Sequence, residues 1–328
     1  MRDPDATVVL PRPRAIEPSA PAQAAPRPAA GRAAVIVAAG AAIVVGAAGA
    51  GAWYWLRSGP VEPPPKPEAP AVVHAPPAMP AEPAPPLADA SAIYDYRATA
   101  PTVFRLASNP RVFVVDAPNL DVQGAMFNRV AALVEKAGQP RDRLLNDAEL
   151  AAAIERSGDT PATYYYGHNY RGRDLERFFA LADRDGIALN PFEQQLRREI
   201  RRVRELVPLP GQFAVISVPG LDPRVDGTMR RAILDHEIGH GEFFTNGAFA
   251  EHVAQVWRNV FTEQERAAFR AYLAREGYDP ALEEVMMNEA MAYLAFTPDR
   301  RFFMPSHAGL TDARAAELRD ALRAQAPR

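Results

Sequence analysis

Asp235-His236-Glu237-Ile238-Gly239-His240, within a chain of 328 residues, decides how the sequence is read. On a helix, His236 and His240 stand one turn apart and about 40° round from each other, so both imidazoles can reach one metal ion. Glu237 lies about 100° from His236, placed to address a water at that metal without being a ligand. Met229, Ile233, His236, His240 and Phe243 form one stripe, which turns both histidines inward. Two buried imidazoles need partners, and a single metal serves both. The metal-free alternative is a pair of core histidines hydrogen-bonded to carbonyls or carboxylates.

A catalytic zinc takes three protein ligands and keeps one position open for water. A third histidine six residues after the second is excluded, because Asn246 stands there and Phe243 occupies the glycine position of that pattern. The candidates are His252, Glu251, Glu263 and Glu289. Glu263 is set aside because Thr262 and Glu265 form a capping box opening a helix that Gly277 closes. Glu289 is preferred for its helix: Asp279-Pro280 reads as N-cap and first-turn proline, and Thr297-Pro298 as the end. Between them Leu282, Val285, Met286, Tyr293 and Phe296 recur at helical spacing, with Glu289 inside their stripe. An ionised carboxylate there is costly unless it meets a cation, and zinc is such a cation. An ion pair with Arg300 or Arg301 is the metal-free alternative.

His236-Glu237-Ile238-Gly239-His240, followed about fifty residues later by Asn288-Glu289-Ala290-Met291-Ala292-Tyr293, resembles the gluzincin metallopeptidases. The spacing and the Asn-Glu-Ala opening are closer to the anthrax lethal factor type catalytic domain than to thermolysin, whose interval is shorter. The resemblance covers residues 218–303. It implies a zincin-like fold, Zn²⁺ on His236, His240 and Glu289, and hydrolysis of a peptide or protein substrate with Glu237 as general base. Tyr293 stands where many gluzincins carry the acidic residue that orients a zinc histidine, which leaves Asn288, Asp235 or Glu242 for that task. An oxyanion donor comes from Tyr272, Tyr278, Tyr293 or His307, with Tyr293 or Tyr278 favoured. The strand ahead of the active-site helix could take an extended substrate by β-augmentation. The runner-up is an enzyme-derived binding or regulatory protein of the cell envelope that has lost turnover; a third is a metal-free structural envelope protein.

Residues 33–56, AAVIVAAGAAIVVGAAGAGAWYWL, carry no charge and are long enough to cross a bilayer as a helix. Arg2, Arg12, Arg14, Arg27 and Arg32 precede the span and Trp53-Tyr54-Trp55 ends it, a pattern that expects a cytoplasmic N-terminus and a catalytic domain outside the inner membrane. A cleaved signal peptide is the competing reading, disfavoured by the length of the apolar run. The expected organisation is a tail at 1–32, a signal anchor at 33–56, a proline-rich spacer at 57–92, and a zincin-like domain at 93–328. A net charge of −3 with interspersed signs offers no basic face for nucleic acid, and the absence of cysteine excludes disulfides and thiolate metal sites. Nothing in the sequence fixes an oligomeric state.

The fold class expected is α+β, a small sheet followed by a helical catalytic half. Residues 102–106 and 111–116 read as a hairpin around Ser108-Asn109-Pro110, and 212–218 as a further strand. Helical periodicity marks 120–137, 147–157, 173–183 and 191–206. Asp183-Arg184-Asp185-Gly186 does not fit a calcium loop, since Leu181 and Phe192 occupy ligand positions. The 164–170 segment, YYYGHNY, reads as a packed loop bordering or covering the cleft, with His168 a weak metal candidate. Arg197-Arg198 and Arg201-Arg202 form a solvated basic face.

Overall fold

The computed structural model describes residues 83–297 and 299–327; the tail, the apolar span and residues 57–82 of the spacer lie outside them. Among the described residues no helix is long and apolar enough to cross a membrane. Among the described residues regular structure begins at Leu87, inside the stretch read as the end of the spacer. Strand β1 (Leu87–Ala88) and helix α1 (Ala90–Asp95) are held there by the Asp89 cap on the Ala92 amide, 2.7 Å, and by fully buried Ile93.

Two runs build the sheet. Val112–Ala117 (β3) and Ala214–Pro219 (β5) are apolar at nearly every position, as strands covered on both faces must be, and every residue of both is buried. They pair in parallel, Val114 opposite Ile216, at the centre of a mixed sheet of order β1-β2-β3-β5-β4. Thr102–Leu106 (β2) joins β3 antiparallel, the expected hairpin, and His168–Arg171 (β4) lies antiparallel to β5 at the edge. The architecture is therefore α+β, a small five-stranded sheet among many helices. Since β5 is bonded on both sides, it cannot receive an extended substrate; β1 and β4 are the edge strands.

The helices are α2 (Leu120–Val134), α3 (Asp147–Ser157), α4 (Gly172–Asp185), α5 (Pro191–Leu206), α6 (Gly227–Thr245), α7 (Gly247–Asn259), α8 (Glu263–Arg275), α9 (Glu283–Met291) and α10 (Asp312–Arg323). The bounds of α3 and α5 match the sequence reading because capping boxes at Asn146/Glu149 and Asn190/Glu193 fix their starts, each worth about 1 kcal/mol. Alternate β3 side chains enter opposite cores. Val112 and Val114 meet Met229, Ile233 and Leu234 of α6, whereas Phe113 and Val115 meet Phe127, Phe178 and Ile200 of α2, α4 and α5. A third core joins Trp257, Phe269, Met286 and Leu318 from the last four helices.

One buried charge pair fixes α6 to the end of the sheet. Fully buried Arg230 lies 2.6 Å from Asp116 of β3 and donates to the carbonyls of Pro219 and Ile93, both at 2.7 Å. Helix α9 departs from expectation. It starts at Glu283 with no side-chain cap, because the Asp279 carboxylate accepts from the Ala281 amide at 3.0 Å and from Arg141 at 3.2 Å, making a turn ahead of the helix. Its α-geometry stops at Met291 and continues as a π-helical turn over Ala292–Phe296.

Candidate metal centre

Helix α6 presents His236 and His240, and α9 presents Glu289, to one point. His236 Nε2 and His240 Nε2 are 3.0 Å apart, and each lies 3.5 Å from an oxygen of Glu289. Gly239 allows this approach: a Cβ there would stand 2.7 Å from the Phe296 ring of the π-turn. Donors bound at 2.0–2.1 Å around a tetrahedral ion stand about 3.3 Å apart, so the three side chains already have the spacing a metal needs. Among the described residues they form the one group of this kind.

The hydrogen bonding behind the ligands fits the same reading. His236 Nδ1 contacts Thr297 Oγ1 at 2.8 Å, and that hydroxyl donates to the Ala292 carbonyl at 3.0 Å. The hydroxyl oxygen therefore accepts the His236 Nδ1–H, which leaves a lone pair on Nε2 facing the centre. On the other side the Asn288 side chain favours protonation of His240 by hydrogen bonding. His240 Nδ1 and Asn288 Oδ1 are both buried with no hydrogen-bond partner among the described residues. Glu289 is 1 % exposed and its Oε2 has no hydrogen-bond partner, a state that suits a carboxylate directed at a cation. Burial lowers both histidine pKa values to about 4, so both rings are neutral, as ligands must be. Burial raises Glu289 against the opposing pull of His240 and the Tyr278 hydroxyl. The arrangement can hold a metal ion.

The metal-free alternatives for Glu289 do not arise, since Arg300 pairs with Asp312 and Arg301 with Asp299 and Asp226. The other ligand candidates are used elsewhere: His252 bonds the Ala321 carbonyl, Glu251 pairs with Arg258, and Glu263 with Arg266 and Arg270. Of the proposed orienters, Asn288 faces His240. Glu242 instead accepts from Asn109 at 2.8 Å, and among the described residues Asp235 makes no hydrogen bond to either histidine. Thr297, read from the sequence only as a helix end, is the group behind His236.

Glu237 sits beside the metal ligands on a cleft lined also by Tyr165, Gly167, Met229, Ile233, His236, Tyr278, Tyr293 and Lys136. Its Oε2 accepts from Asn169 of β4 at 3.1 Å, and its Oε1 lies where a Cβ on Gly167 would come within 2.1 Å. Burial raises its pKa strongly, reinforced by the charge of Glu289; a divalent cation between the ligands acts in the opposite direction. The tyrosine segment thus lines the cleft, and its last residues form the edge strand. Neither Asn169 nor buried Glu135, whose carboxyl is pushed up to about 8 by burial and by Glu289, carries a motif that marks it. Among the oxyanion candidates, Tyr293 packs its ring 4.9 Å from His236 and 5.6 Å from Tyr272, while Tyr278 lowers the pKa of Glu289. Tyr272 and His307 stack on each other away from the cleft lining.

His168 is not a ligand. It stacks on Phe127 and its Nδ1 is 3.0 Å from the Tyr170 hydroxyl. Burial lowers its pKa to about 3, against 6.5 in an unfolded chain, so protons bind the unfolded state in preference. Stability is expected to fall by about 1.4 kcal/mol per pH unit from this group as pH drops from about 6.5 toward 3. Denaturant melts of wild type and His168→Gln across that range check it: the variant's slope should be shallower, and equal slopes exclude His168 as the source.

Comparison with family models, with curated proteins and with solved structures finds no match for this chain.

Proposed function

We propose that the chain is a zinc metallopeptidase of the gluzincin type, hydrolysing peptide bonds with Glu237 as general base. The observation that carries this reading is the convergence of two neutral imidazoles and an otherwise unpartnered carboxylate oxygen, with a fourth side chain, Glu237, on the same cleft. Zinc held there supplies Lewis acidity, polarising a carbonyl and lowering the pKa of water toward about 7. Asn169 holds Glu237 Oε2, which leaves Oε1 to take a proton from the attacking water and return it to the leaving amine. Tyr293, beside His236, is the oxyanion donor in this scheme. The apolar run 33–56 anchors the enzyme in the inner membrane with the domain outside it, its substrate a peptide or protein of the envelope.

Metal analysis of the purified chain, with mass spectrometry of a peptide library before and after chelation, tests the reading. About one zinc per chain is expected, with cleavage that stops on chelation and returns with Zn²⁺. Less than about 0.1 metal per chain sinks the metal centre. Full metal with no cleavage leaves the binding-protein alternative.

A further inference from the structure

The same cleft contains a cation that this chemistry does not use. Lys136, just past the end of α2, is 6 % exposed, yet its ammonium makes no hydrogen bond or ion pair with any described residue. It lies 4.2 Å from the Tyr164 ring centre and 4.3 Å from that of Tyr165. Its backbone bridges to Tyr278, and Ala137 N bonds the Gly277 carbonyl at 3.0 Å, so the segment is pinned. Tyr165 packs on Tyr278 with centroids 5.8 Å apart, and the Tyr278 hydroxyl lowers the pKa of Glu289.

An ammonium that lines the cleft with no protein partner has three donors free to meet a ligand there. Burial lowers the Lys136 pKa, and the charges of Asp159, Glu135 and Glu276, none of them paired with it, pull the other way. We propose that Lys136, framed by Tyr164 and Tyr165, is the subsite that receives a carboxylate of the peptide substrate, either a free C-terminus or an acidic side chain. The two rings hold the ammonium over their faces, so little side-chain freedom is lost on binding. This proposal rests on the peptidase reading for its substrate, but binding can be measured without turnover.

The metal-loaded full chain is assayed with one peptide pair differing only in a free or amidated C-terminus, and a second pair differing in Glu or Gln at an internal position. One pair is expected to favour its carboxylate member, which identifies the source of the charge. Lys136→Met should cut that preference about 10- to 100-fold, and Lys136→Arg should keep most of it. A preference untouched by Lys136→Met, or none in either pair, overturns the subsite and leaves the peptidase standing. Should no peptide be cut, calorimetric binding of the same pairs decides the subsite alone. Lys136-dependent binding of a carboxylate member upholds it with the peptidase reading lost, and equal or absent binding overturns it. If Lys136→Met melts below the assay temperature, the wild-type comparison and Lys136→Arg carry the test, and equal treatment of both members in each pair overturns the proposal.

Discussion

Glu237→Gln is expected to slow peptide hydrolysis by about 10²- to 10⁴-fold while leaving close to one metal per chain and an unaltered melting curve. The substitution keeps volume and removes only basicity. Asn169 can turn its amide to meet the new side chain, so the 3.1 Å contact survives with donor and acceptor exchanged. His236, His240 and Glu289 have no direct bond to Glu237, so the metal should be retained. Removing the ionisable carboxyl from a site where Glu289 and Glu135 both raise its pKa also offsets any packing loss. Kinetics, metal analysis and calorimetry on one preparation separate the outcomes. Unchanged hydrolysis rules out Glu237 as the base, and loss of metal would mean it holds the centre together.

The second large effect concerns stability. Arg230→Met should cost about 3–5 kcal/mol in chemical denaturation at pH 7, because it strands the buried Asp116 carboxylate. Burial already raises the Asp116 pKa, and Arg230 is the main opposing influence. Without it the carboxyl takes a proton in the folded state, and that relief is present at low pH and lost as pH rises. The deficit should therefore be smaller at pH 5 than at pH 7. Adding Asp116→Asn should recover much of it. A deficit under about 1 kcal/mol, or one independent of pH, would show that the pair does not behave as a buried charge pair.

The parts of this site that sequence reveals are those whose signal is local. His236, Glu237 and His240 share one helical turn, and Glu289 betrays itself as a charge in an apolar stripe. The strands β3 and β5 are legible because burial on both faces makes them continuously apolar. The other contributors depend on contacts far along the chain. Asn169 reaches Glu237 only because β4 pairs with β5, and β4 is four largely polar residues with no alternation to read. The Asp279-Pro280 start fails for a similar reason. Its carboxylate is claimed by Arg141, 138 residues away, which no local rule anticipates. Glu135 is silent too, being a helix-end glutamate whose burial comes entirely from packing.

The turn over Ala292–Phe296 carries a consequence for how one helix serves two tasks. Eight residues of unbroken α-helix would leave position 297 about 80° out of phase with position 289. The wider i→i+5 turn rotates less per residue and removes much of that lag. Glu289 and Thr297 are thus brought into step, one facing the candidate metal centre and the other standing behind His236. The extra residue acts as a vernier, trading one regular hydrogen-bond register for angular alignment between two groups that a regular helix would keep apart.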